Sequence, residues 1–108
     1  MTLEEWIRSG IERDERYTPE EILGGIKSGE FQLFQYPKGI VVTQITGHNR
    51  VLVFLLSGVD FEEWKEKATE DLRRFANGRI VEAYCRPGLE KVLKDLGWVK
   101  TQVVLRLR

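Results

Sequence analysis

The sequence predicts an α/β (α+β) domain, a mixed and mostly antiparallel sheet with helices on both faces. Three observations carry this reading. Capping signals open segments of helical period, the period changes from helical to alternating at Phe31, and the run VLVFLL (Val51 to Leu56) is apolar on both faces. A strand of that last kind must be covered on both sides. The chain has 108 residues, 42% of them hydrophobic and 31% charged, enough to build one core without disulfide or metal staples. Residues 1–108 therefore read as a single domain.

Thr2 followed by Glu5 is a capping box, and Leu3, Trp6, Ile7 and Ile11 then share one helical face, giving a first helix to about Asp14. Thr18-Pro19-Glu20-Glu21 repeats the box with Pro at the first helical position; Ile22, Leu23 and Ile26 are its apolar residues and Gly29 is available as the stop. In FQLFQYP, Phe31, Leu33 and Gln35 alternate with Gln32, Phe34 and Tyr36 before the turn Pro37-Lys38-Gly39. GIVVTQIT and VLVFLL are the second and third strands, a hairpin joined through Gly47-His48-Asn49-Arg50. Asp60-Phe61-Glu62-Glu63 reads as a third capping box, opening a helix whose Phe61, Trp64, Ala68, Leu72 and Phe75 form a stripe ending at Asn77-Gly78. Its outer face offers the pairs Glu63 with Lys67 and Glu70 with Arg74. RIVEAYC is a fourth strand, set parallel to VLVFLL by a right-handed crossover. GLEKVLKDLG and WVKTQVVLRL supply a fourth helix and a last strand, for the order α-α-β-β-β-α-β-α-β.

Several functions are argued against. Seventeen basic residues balance seventeen acidic ones, so no net field draws the chain to nucleic acid or to an anionic membrane. VLVFLL is too short to span a bilayer and MTLEEWIRSG has no apolar signal region, which points to the cytoplasm. Cys85 stands alone and cannot form an internal disulfide. No Cys, Asp or second His lies at ligand spacing from His48, so no metal site is read. Cys85 also lacks a nearby base and reads as a structural thiol, while Trp6, Trp64 and Trp98 read as core anchors. Glu82 and Tyr84 alternate along RIVEAYC beside the central strand, and they are the candidate base and acid if the fold retains an acceptor cleft.

This order, with GLEKVLKDLGW feeding the last strand, resembles the GNAT superfamily of acyl-CoA-dependent N-acetyltransferases, its usual first strand missing. The likeness is nearest to the small GNAT-like proteins encoded by tailed phages and prophages. The matching stretches are Trp6 with Ile7, Gly29 to Phe34, Ile40 to Ile45, Val51 to Gly58 and Ala83 to Leu107. The resemblance implies an acetyl-CoA site along the central strand at Val53, Leu55, Ser57, Gly58 and Val59, with the diphosphate on the turn Ser57-Gly58-Val59-Asp60. Two departures stand against it. That turn has one glycine, lacks the superfamily's Gln/Arg-x-x-Gly-x-Gly pattern, and carries Asp60, Glu62 and Glu63 where a polyanion would dock. The superfamily's fourth-helix tyrosine, four residues before the glycine stop, is Leu93 counted back from Gly97.

The expectation is a phage- or prophage-type GNAT-like domain with a degenerate acyl-CoA site, no bound cofactor, and a binding or structural role in the host cytoplasm. Its partner would be another protein or a second copy, paired through an edge such as FQLFQYP or VVLRLR. The alternative is an active acetyl-CoA-dependent N-acetyltransferase acting on a small-molecule or protein amine. It requires two unblocked amides in the turn Ser57 to Phe61 facing an open cleft, whereas the binding reading expects plugs such as Phe54, Leu56 and Tyr84.

Overall fold

The computed structural model describes residues 2–11, 17–47, 49–83 and 98. In chain order these form α1 (Leu3–Ile11), α2 (Pro19–Ser28), β1 (Phe31–Tyr36), β2 (Gly39–Ile45), β3 (Arg50–Gly58), a 3-10 turn (Phe61–Glu63), α3 (Lys65–Ala76) and β4 (Ile80–Ala83). The sheet runs β1-β2-β3-β4, antiparallel through β3 and parallel between β3 and β4. Mixed sheet and parallel crossover thus stand as the sequence predicts. Asp14, His48, Tyr84, Cys85, Leu93, Gly97, the fourth helix and the last strand lie outside the described residues.

Both N-terminal capping boxes close. The Glu5 amide donates to Thr2 Oγ1 (3.2 Å) and the Thr2 amide to Glu5 Oε1 (3.0 Å), and the same reciprocal pair joins Glu21 and Thr18 at α2 (3.2 and 3.3 Å). At α1 the bond from the Thr2 backbone holds the Glu5 carboxyl below its ordinary pKa. Pro19 occupies the first turn of α2, and Gly29 ends that helix at φ 86° with its amide on the Ile26 carbonyl.

The core lies on both sides of the sheet. Ile40, Val42, Leu55 and Phe31 meet Trp6, Ile7 and Ile22 of α1 and α2, while Val41 and Val53 meet Trp64, Ala68 and Leu72 beneath α3. Adjacent strand residues feeding opposite cores is the simple outcome of strand alternation. Val53 and Leu55, two apart, should share a face, yet they lie in different cores. The cause is a β-bulge: Val42 pairs with Leu55 but Thr43 pairs with Val53, which leaves Phe54 without a partner on β2. Phe54 turns to the α1–α2 side, where its ring lies 4.7 Å from Phe31 and 5.2 Å from Tyr17.

The third capping box does not form. Asp60 sits in the left-handed region (φ 52°, ψ 45°) with no side-chain cap bond, and α3 begins only at Lys65 after the 3-10 turn. The surface pairs differ from the predicted ones as well. Glu63 reaches Lys38, Lys67 pairs with Asp71 (2.7 Å), and Glu70 pairs with Arg73 (2.8 Å) rather than with Arg74.

Candidate functional site

The segment from β3 to α3, where the resemblance places the cofactor diphosphate, is held by four local features. β2 begins and β3 ends at glycines that face each other across the ladder, Gly39 opposite Gly58. Two bare backbones side by side make a flat floor, and the Trp64 indole lies on it: a Cβ on Gly39 would come 2.4 Å from the ring, and one on Gly58 2.7 Å. Tyr36 stacks on the indole at 5.1 Å and 19°, and Phe61 meets it edge-on at 4.7 Å. The indole Nε1 donates to the Val59 carbonyl at 3.0 Å, so the ring is fixed by hydrogen bonding as well as by burial.

The turn's own backbone is largely committed. The Val59 amide donates to the Lys38 carbonyl (2.9 Å), the Glu63 amide to the Asp60 carbonyl (2.9 Å) and the Trp64 amide to the Phe61 carbonyl (3.1 Å). The Asp60 and Phe61 amides have no backbone acceptor among the described residues. Around them stand the three carboxylates, each with a lysine: Lys38 lies 3.0 Å from Asp60 and 2.7 Å from Glu63, and Lys65 lies 2.8 Å from Glu62. The bonds from Glu63 and then Asp60 push the Lys38 pKa up. Three negative groups against two positive ones leave this corner negative, a poor seat for a diphosphate.

Beside it, the Tyr36 hydroxyl donates to Asp71 Oδ2 (2.8 Å), whose other oxygen accepts from Lys67 Nζ (2.7 Å). Burial first, and then the bond to Asp71, raise the tyrosine pKa well above its ordinary value, while Lys67 foremost and Tyr36 next lower that of Asp71. The hydroxyl is therefore a donor locked onto a carboxylate.

The residues the resemblance assigns to acetyl-CoA do not line one surface. Val53 belongs to the α3-side core and Leu55 to the α1-side core, both buried. Ser57 is buried under α1, where a Cβ on Gly10 would come 3.0 Å from the Ser57 Cβ and 2.5 Å from Leu55 Cδ1. Gly58 lies under the indole, and Val59 is 53% exposed beyond it. Of the two proposed plugs that are described, Leu56 packs on the α3 side and Phe54 on the α1–α2 side.

Glu82 stands on β4 opposite Leu52, its carboxylate paired with the Arg50 guanidinium one strand away. Tyr84, its proposed partner in acid–base work, lies outside the described residues. Sequence reasoning missed the roles of Gly39, Lys38 and Tyr36 in this corner. In the sequence Lys38 and Gly39 mark only a turn and Tyr36 only a strand position, and nothing local ties them to Trp64. Trp98, read as an anchor, packs against the α3-side core and donates its indole N–H to Thr69 Oγ1 (3.2 Å). Among the described residues no cluster of His, Cys, Asp or Glu could hold a metal ion, and no helix is long and apolar enough to cross a membrane. Comparison with protein-family models, with curated proteins and with solved structures finds no match to this chain.

Proposed function

We propose that the chain is a GNAT-like domain whose acyl-CoA turn is occupied by its own side chains, and that it works in the cytoplasm by binding another protein chain rather than by catalysis. The observation that carries this reading is the Trp64 indole, seated on Gly39 and Gly58 and bonded to the Val59 carbonyl. A diphosphate placed on that turn would meet the edge of a buried aromatic, a Val59 amide already given to Lys38, and a net excess of carboxylates. The fixed pairing of Glu82 with Arg50 agrees with a structural rather than a catalytic strand.

The alternative, an active N-acetyltransferase on a small-molecule or protein amine, draws support from two features. The Asp60 and Phe61 amides lack a backbone acceptor among the described residues. The bulge at Phe54 falls where the described pairing of β3 with β4 ends, at Val53 opposite Ala83, and a pantetheine arm would run between those strands.

Thermal unfolding with millimolar acetyl-CoA, and with CoA and ATP as controls, separates the two. The binding reading expects no change in midpoint. A ligand at a hundredfold its Kd stabilises by about 2.7 kcal/mol, on the order of 10 °C for a domain of this size. A rise of that order with acetyl-CoA and CoA but not with ATP would overturn the binding reading in favour of the enzyme.

A further inference from the structure

We propose that Asn77-Gly78 is a self-modification site that the α3–β4 turn holds shut: the Gly78 nitrogen closes on the Asn77 carboxamide only when that turn opens, so the rate of the reaction follows the opening of this one corner. The inference is independent of what the turn between β3 and α3 binds.

The chain has two asparagines, Asn49 and Asn77, and only Asn77 precedes a glycine. Both sit in the left-handed region, at φ 57° and 48°. Asn49 is held, its Oδ1 accepting from Arg79 Nε at 2.9 Å. Asn77 and Gly78 are exposed, and among the described residues neither the Asn77 carboxamide nor the Gly78 amide has a hydrogen-bond partner. Gly78 has no side chain to obstruct its nitrogen, so the pair has the parts for ring closure. The Gly78 nitrogen loses its proton to solvent and bonds to Asn77 Cγ, and ammonia leaves. Water then opens the cyclic imide at either carbonyl. One product is an ordinary aspartyl link at position 77; the other runs the main chain through the side-chain carbonyl.

The torsion of Asn77 prevents this in the folded chain. In an L-residue the following nitrogen eclipses Cβ, as the ring requires, at ψ of about −120°. Asn77 has ψ 54°, which sets the Gly78 nitrogen on the far side of the Cα–C bond from Cβ. Two bonds hold it there: the Asn77 amide donates to the Arg73 carbonyl (3.1 Å) and the Arg79 amide to the Ala76 carbonyl (3.0 Å). Rotating ψ toward the reactive value swings Gly78 and Arg79 together. It breaks the second bond and draws the guanidinium off Asn49, which makes Arg79 the latch between this turn and the β2–β3 hairpin. The side-chain-linked product lengthens the main chain by one atom inside the ring that the Arg79–Ala76 bond closes, directly before Ile80 pairs with Arg50. A corner modified in that way cannot reclose in its original form.

The test incubates the full chain at mildly alkaline pH, folded and in urea sufficient to unfold it, and follows position 77 by peptide mass mapping. Conversion should be slower in the folded chain by a factor on the order of ten or more. At low urea the folded rate should stay level, because opening one turn exposes little surface. Arg79→Ala removes the latch and should raise the folded rate about two- to tenfold while leaving the rate in urea unchanged. Equal rates in the folded and unfolded chain overturn the proposal, and so does an Asn77 that stays intact in urea. A folded rate that climbs with the unfolded fraction, or one that a folded Arg79→Ala protein leaves unmoved, also overturns it, since global unfolding rather than this turn would then be the gate. Should Arg79→Ala not fold, the urea dependence alone decides.

Discussion

Tyr36 gives the clearest titration at the scale of single residues. Its hydroxyl donates to a carboxylate that Lys67 also holds, so the fold favours neutral Tyr36 and charged Asp71. A folded pKa raised above the unfolded one contributes stability that is full below the unfolded value, near 10 for tyrosine, and lost as pH climbs toward the folded value. Asp71 works in the opposite sense. Its folded pKa is lowered, so its contribution is full above about 4 and lost as pH falls below that. Tyr36→Phe should cost about 1–2 kcal/mol at pH 7. It should also flatten the fall in stability between about pH 10 and 12, as urea titrations at pH 7, 10 and 11 would show. Equal alkaline slopes in both proteins would mean that another group carries the effect. Gly58→Ala belongs at this scale too. Its Cβ would come 2.5 Å from the Lys38 carbonyl, which belongs to backbone and cannot swing away, so a loss of about 1–3 kcal/mol is expected in chemical denaturation.

At the scale of elements, helix starts divide into one kind that the sequence displays and one that it does not. Thr2 and Thr18 open segments of helical period with Glu three residues on, and both boxes form. Asp60 has the same local pattern, but the chain on either side is already fixed, by the Val59 amide on Lys38 and the indole on the Val59 carbonyl. Asp60 is held left-handed and its carboxylate goes to Lys38, a residue 22 positions earlier that no local pattern links to it. Thr18→Ala should therefore cost about 1 kcal/mol, read as a lower midpoint in thermal melts. A stability unchanged by Thr18→Ala would show that α2 is held by its apolar face alone. The bulge was illegible for a different reason. VLVFLL is apolar throughout, so no alternation of polar and apolar side chains records the change of phase at Phe54.

For the whole molecule, that change of phase decides which core each half of β3 serves. Below the bulge Val53 faces α3, and above it Leu55 faces α1. Deleting Phe54 would make Val53 and Leu55 neighbours, so strict alternation keeps each on its present face and the pairs Val42 with Leu55 and Thr43 with Val53 stay in place; what is lost is the Phe54 ring against Phe31 and Tyr17. The deletion should keep unfolding cooperative and the proton–nitrogen correlation spectrum dispersed, at a cost of about 3–5 kcal/mol for the lost ring; a collapsed spectrum would mean that the bulge itself is needed to hold the two cores in phase. The fold was legible in outline because strands, helices and crossover follow from local periodicity. The candidate site was not, because it depends on Lys38, Gly39, Gly58 and Trp64 meeting from three separate elements.

The seating of Trp64 also sets an order in which this corner can drift by mutation. A side chain at Gly39 or Gly58 is blocked twice, by the indole and by a carbonyl of the neighbouring backbone, Ser57 for the first and Lys38 for the second. Replacing the tryptophan with a smaller residue lifts only the first obstacle, so the glycines remain obligatory after the ring is gone. Lineages descending from this chain can lose the ring and keep the two glycines, but the reverse route is closed. An emptied turn with Gly39 and Gly58 still in place would be the residue of such a history, and it would expose again the backbone floor that the indole now covers.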